Sequence, residues 1–113
     1  MADGQQKSPE RATFTRTERS REEAVLAVAG PLYDEIADEF QFHLDAAIAG
    51  GWPIITLDFK RVKVIASKAF GKIVFVMKRL QETRRTLRIR GCDPDLWNQF
   101  KATRFDRILD IEP

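Results

Sequence analysis

The stretch Ile54 to Lys78, IITLDFKRVKVIASKAFGKIVFVMK, constrains this chain more than any other. Ile54-Ile55-Thr56-Leu57-Asp58-Phe59 is short, β-rich and nearly continuously apolar, the pattern of a strand covered on both faces. Lys60-Arg61 and Lys63, interrupted by Val62, read as a charged turn, and Val64-Ile65 leads into a helix that starts near Ser67. Serine is a favoured helix N-cap, because its hydroxyl accepts from an N–H left free in the first turn. Strand, loop and helix in that order make an α/β unit. They also put a hydroxyl at the positive end of a helix dipole on the loop leaving a strand, where ligands and partners tend to meet such proteins.

The helix, Ser67 to about Glu82, has two faces at roughly 100° per residue. Ala69, Ile73, Val76, Met77 and Leu80 form a core stripe, with Phe70 at its edge. Ser67, Lys68, Gly71, Lys72, Lys78 and Arg79 lie opposite, and Phe75 falls in the middle of that polar side. An aromatic in such a place is either a partner anchor, since buried aromatics dominate many interfaces, or a side chain left exposed or tucked under a neighbouring loop.

The rest of the chain supplies the partners of this unit. Arg11–Glu18 and Glu23–Gly30 read as two strands of a hairpin around the polar Arg19–Glu22 loop, and Gly30-Pro31 ends the second. Asp34 to Ile48 is a predicted helix whose stripe is Ile36, Phe40, Leu44, Ala47 and Ile48, stopped by Gly50-Gly51. Thr83-Arg84-Arg85 breaks the pattern after the second helix. Thr86–Arg90 then alternates as a strand toward a sheet edge. Asp93-Pro94 is an N-cap followed by proline at the first helical position. It opens a helix to about Ala102 with Leu96, Trp97 and Phe100 inward. Phe105, Ile108, Leu109 and Ile111 suit a short closing strand. The order β-β-α-β-α-β-α-β predicts an α/β fold: one small domain, with a mixed, mostly parallel sheet of four to five strands and helices packed on it. Residues 1–10 are polar and aperiodic, a flexible tail, and the domain is 11–113.

Several function classes are excluded at this level. One His (His43) and one Cys (Cys92) leave no Cys–His pair or metal cluster, and there is no phosphate-cradling glycine loop, so neither an enzyme nor a cofactor or metal is expected. Asp34 and Asp58 read as a helix cap and a strand-end loop residue. Arg84, Arg85, Arg88 and Arg90 read as a solvated turn and strand face. With a net charge of +2 on 19 basic and 17 acidic residues, no nucleic acid is expected as a partner. No apolar run reaches the about 18 residues of a membrane span, no secretory leader is visible, and the lone cysteine favours a cytoplasmic location.

The Ala29-Gly30-Pro31-Leu32-Tyr33-Asp34 end of the hairpin, the amphipathic helix after it, the strand ending in Leu57-Asp58, and Ala66-Ser67-Lys68-Ala69-Phe70-Gly71 together resemble a STAS domain. That module is shared by anti-sigma factor antagonists and sulfate transporter tails. The likeness runs from about Thr13 to Pro113. It implies a STAS-like fold and a protein-binding role: Ser67 as phosphoacceptor, and an anti-sigma factor or serine kinase-like protein, with a phosphatase besides, as partners. The face implied for docking is Lys60, Arg61 and Lys63 on the loop with Ser67, Lys68, Gly71, Phe75 and Lys78 on the helix. The family pattern at the helix start is Asp-Ser-(Ser/Thr)-Gly-Leu-Gly. Ala66 departs from its aspartate, Lys68 from its small hydroxyl residue and Ala69 from its glycine. The departures keep a second reading beside the first, a non-switching subunit of a sensory scaffold or transporter complex. The oligomeric state is left open.

Overall fold

The structure, a computed structural model, describes residues 10–113, so all but one residue of the expected tail lie outside the described residues. Strands β1 (Thr13–Glu18) and β2 (Glu23–Ala29) form the hairpin, closed by the Arg19 amide donating to the Glu23 carbonyl at 2.8 Å. Helix α1 (Ala37–Ala49) follows, entered through a 3₁₀ turn at Asp34–Ile36, so the regular helix starts three residues later than its apolar spacing suggests. Then come β3 (Ile54–Arg61), α2 (Ser67–Glu82), β4 (Thr86–Arg90), α3 (Pro94–Ala102), a 3₁₀ turn at Phe105–Arg107, and β5 (Asp110–Ile111). The five strands lie in sequence order, β1-β2-β3-β4-β5, and only the β1–β2 pair is antiparallel. The α/β architecture and the mixed, mostly parallel sheet are as the sequence predicts. β5 makes β4 an inner strand, but a two-residue partner leaves it close to the edge.

One face of the sheet holds the core. Leu26, Ile55, Leu57, Phe59 and Ile89 point to it and pack with Phe40 and Leu44 of α1, Ile73, Val76 and Leu80 of α2, and Leu96 and Phe100 of α3, all 0–1% exposed. The stripes read from helical spacing are the ones buried, because a 3.6-residue repeat leaves a helix only one side to give the sheet. No described helix covers the opposite face of the sheet, contrary to the expectation for β3. There Val25, Ala27, Thr56, Asp58, Lys60 and Arg88 border an open hollow. Thr56 is nonetheless buried, its hydroxyl donating to Glu23 across the strands. The apolar run misled because Ile54 and Thr56, which sit on this second face, are β-branched and read as core residues in a linear sequence.

The arginine cluster is divided among separate structural tasks. Arg84 occupies the left-handed turn after α2 at φ 61°. Arg85 donates to the Trp52 and Ile48 carbonyls, at 2.9 Å each, and so serves the carbonyl end of α1. Arg90 donates to the Ile89 and Asp110 carbonyls and meets the Asp110 carboxylate at 3.0 Å.

Candidate functional site

The site is built where β2 and β3 run out of the sheet. Past a bulge between Ala27 and Ala29, the Leu32 amide donates to the Val64 carbonyl at 2.9 Å and the Ala66 amide returns to the Leu32 carbonyl at 2.8 Å. The two connecting segments therefore travel side by side, and Asp34 arrives at the start of α2.

There the structure corrects the expected cap. Ala66, extended at φ −82° and ψ 165°, holds the N-cap position with no side-chain bond to offer, and Ser67 is the first helical residue. The cap comes from elsewhere: the Lys68 amide donates to Asp34 Oδ1 at 3.2 Å. Asp34 is a helix cap, as its residue type suggests, but for α2 and not for the helix it precedes. Ser67 is exposed and its hydroxyl has no hydrogen-bond partner among the described residues.

Down the same side of α2, Lys68, Gly71, Lys72 and Phe75, with Gln41 of α1, line a shallow hollow of about 420 Å³. Phe75 is 52% exposed, under no loop among the described residues, with the Arg79 guanidinium 5.8 Å from its ring centre. Lys72 leans to Asp38 at 3.5 Å, whereas Lys68 and Lys78 pair with no carboxylate among the described residues. Gly71 is helical, and a Cβ added there would meet nothing within 4 Å. A helix-interior glycine costs about 0.5–1 kcal/mol against alanine, and neither packing nor backbone conformation asks for it here.

The structure brings Ser67, Lys68, Gly71, Phe75 and Lys78 to one helix and divides the basic loop. Lys63 is exposed and reaches Asp93 at 3.0 Å. Lys60 and Arg61 are not in a loop: they are the last residues of β3 and line hollows on the helix-free face of the sheet. Asp93 accepts from the Leu96 amide at 2.8 Å, and that bond, with Lys63 beside it, holds its carboxyl below the usual range. Sequence reasoning missed Asp34 and Gln41 as members of the site, together with exposed Tyr33 and Val64 on the two parallel segments. No local pattern marks them: Tyr33, Asp34 and Val64 are placed by the parallel run of the two connecting segments, and Gln41 by the packing of α1 beside α2. His43 stacks on Phe14 at 4.6 Å, away from these residues, and no metal-binding group of three or more His, Cys, Asp or Glu occurs among the described residues. No described helix is long and apolar enough to cross a membrane.

Comparison with known proteins gives this arrangement a context. Residues 15–113 match the family model of the STAS domain. Among solved structures, an anti-sigma factor antagonist from Mycobacterium paratuberculosis superposes with a TM-score of 0.83 at 16% identity, over 95% of this chain and 90% of that one. The anti-sigma factor antagonist SpoIIAA in its unphosphorylated form gives 0.74 at 17% identity, over 89% of each. A sulfate transporter family protein from Wolinella succinogenes gives 0.72 at 17%, over 84% of this chain and 80% of that one. No curated protein sequence matches.

Proposed function

The chain belongs to the STAS domain family, and on that footing we propose that it is a non-enzymatic regulatory module that docks on an anti-sigma factor or serine kinase-like partner through the Ser67 end of α2. The observation that supports this best is the unengaged Ser67 hydroxyl: the helix is capped without it, so a partner can reach or modify it while the cap stays intact. Around it, exposed Phe75 offers an apolar anchor, Gly71 lets another backbone approach, and Lys68 and Lys78 favour an acidic partner surface. Phosphorylation of Ser67 would add about −2 charge beside Lys68 and Asp34, enough to remove a docked acidic surface without unfolding the domain.

A second reading, a STAS subunit that docks permanently in a larger assembly, is favoured by Ala66 and Lys68 in place of the family's aspartate and hydroxyl residue. Intact-mass analysis of the protein from its native cell, with peptide mapping around Ser67 and a Ser67→Ala control, separates them. One phosphate on Ser67 supports the switch. Its absence under all growth and stress conditions, with a partner still captured through a Phe75-dependent surface, would leave the permanent subunit.

A further inference from the structure

The face of the sheet that no described helix covers lies apart from the Ser67 face and is open. Pairing aligns Thr17, Val25, Thr56 and Arg88 in one row across four strands, and Thr15, Ala27, Asp58 and Arg90 in the next. Each row is short-chained from β1 to β3 and ends in an arginine on β4, so this face of the sheet becomes the floor of a trough of about 540 Å³. Parallel strands ordinarily have both faces covered, yet half-buried Val25 and Ala27 lie here with nothing over them among the described residues.

The walls are basic and loosely held. Arg19, Lys60, Arg88 and Arg90 line the trough against two carboxylates, Glu23 and Asp58. Arg90 spends its donors on carbonyl oxygens and on Asp110. The other three do not: Arg19 to Glu23, Lys60 to Asp58 and Arg88 to Asp110 each stand at 3.5 Å, beyond ordinary hydrogen-bond length. The Arg88 Nε is buried with no hydrogen-bond partner. Both carboxylates are already engaged, Glu23 by the Thr56 hydroxyl and Asp58 by the Lys60 amide. That leaves guanidinium and ammonium donors facing an apolar floor.

We propose that this trough binds a small amphipathic carboxylate, its flat apolar body lying on Val25 and Ala27 and its carboxylate taken by Arg88 with help from Arg19 or Lys60. Arginine fits because its planar fork meets a carboxylate with paired donors. The test is a ¹H–¹⁵N titration of the full chain with 2-naphthoate, against 2-naphthylmethylammonium as a probe of the same body and opposite charge. The expected result is saturable shifts at the Val25, Ala27, Thr56 and Arg88 amides with naphthoate alone. Arg88→Gln is expected to weaken binding at least fivefold, and Val25→Glu, which sets a like charge on the floor, to abolish it while the remaining spectrum stays native. Equal binding of the cation, shifts centred on Phe75, no saturation, or unchanged affinity in both variants would overturn the proposal.

Discussion

Asp34 accepts from an amide 34 residues further along the chain, and in doing so settles what Ser67 is free to do. A capping carboxylate stabilises a helix by about 0.5–2 kcal/mol, so Asp34→Ala is expected to lower unfolding free energy by about 1 kcal/mol in urea titrations. The same carboxylate makes the site sensitive to added negative charge. Ser67→Asp puts a second anion at the one helix terminus, and it is expected to destabilise wild type but to be neutral or stabilising in an Asp34→Asn background, where the helix dipole alone acts on it. A double-mutant cycle reads the difference directly, and additivity within error would show that Asp34 and Ser67 do not share the terminus.

At the scale of the element, α2 divides cleanly. Its inward stripe is fully committed to the sheet, while its outward side keeps a glycine that nothing in the fold requires. Gly71→Ala is therefore expected to raise stability by about 0.5–1 kcal/mol, through the unfolded chain's lost freedom and the better helix former. On the proposed docking mode the same change is expected to weaken partner capture, because a methyl would stand where the partner's backbone would approach. A loss of stability would place Gly71 in the fold's own packing instead. α3 is the simpler case, its Asp93 cap and Pro94 start working as their residue types dictate.

For the whole molecule, two groups with shifted titration contribute to the pH dependence of stability, one on the acid side and one on the alkaline. Asp93 is held below the ordinary carboxylate range by the Leu96 amide and Lys63, so its contribution is present above the unfolded value near 3.8 and is lost as pH falls through the lowered native one. Burial, with Asp93 beside it, pushes the Cys92 thiol from 9.0 up to about 11. The unfolded thiol then ionises first, and stability drops as pH rises from 9 toward 11. Urea midpoints across pH are expected to form a plateau with both shoulders. Cys92→Ala is expected to flatten the alkaline shoulder relative to wild type, and Asp93→Asn the acid one. Parallel profiles would remove these groups from the account.

Helix stripes, the hairpin, the α3 cap and the element order were legible in the residues themselves, because 3.6- and 2-residue periods and cap preferences act within a few positions of chain. The outward position of Phe75 was legible for the same reason: an angle along one helix needs no neighbour to define it. What lay beyond reach depended on strand pairing. The parallel run of Leu32 beside Val64 and Ile65 brought Asp34 to α2 and took the capping role from Ser67. The alternation of β3 sent Lys60 to the face of the sheet that α2 does not cover, and the row from Thr17 to Arg88 assembled a trough from four strands. Sequence alone determined which stripe of each helix must be buried, since that follows local periodicity, but not which face of β3 would stay open. Tertiary structure decided which exposed groups meet, since that follows register between segments distant in the chain.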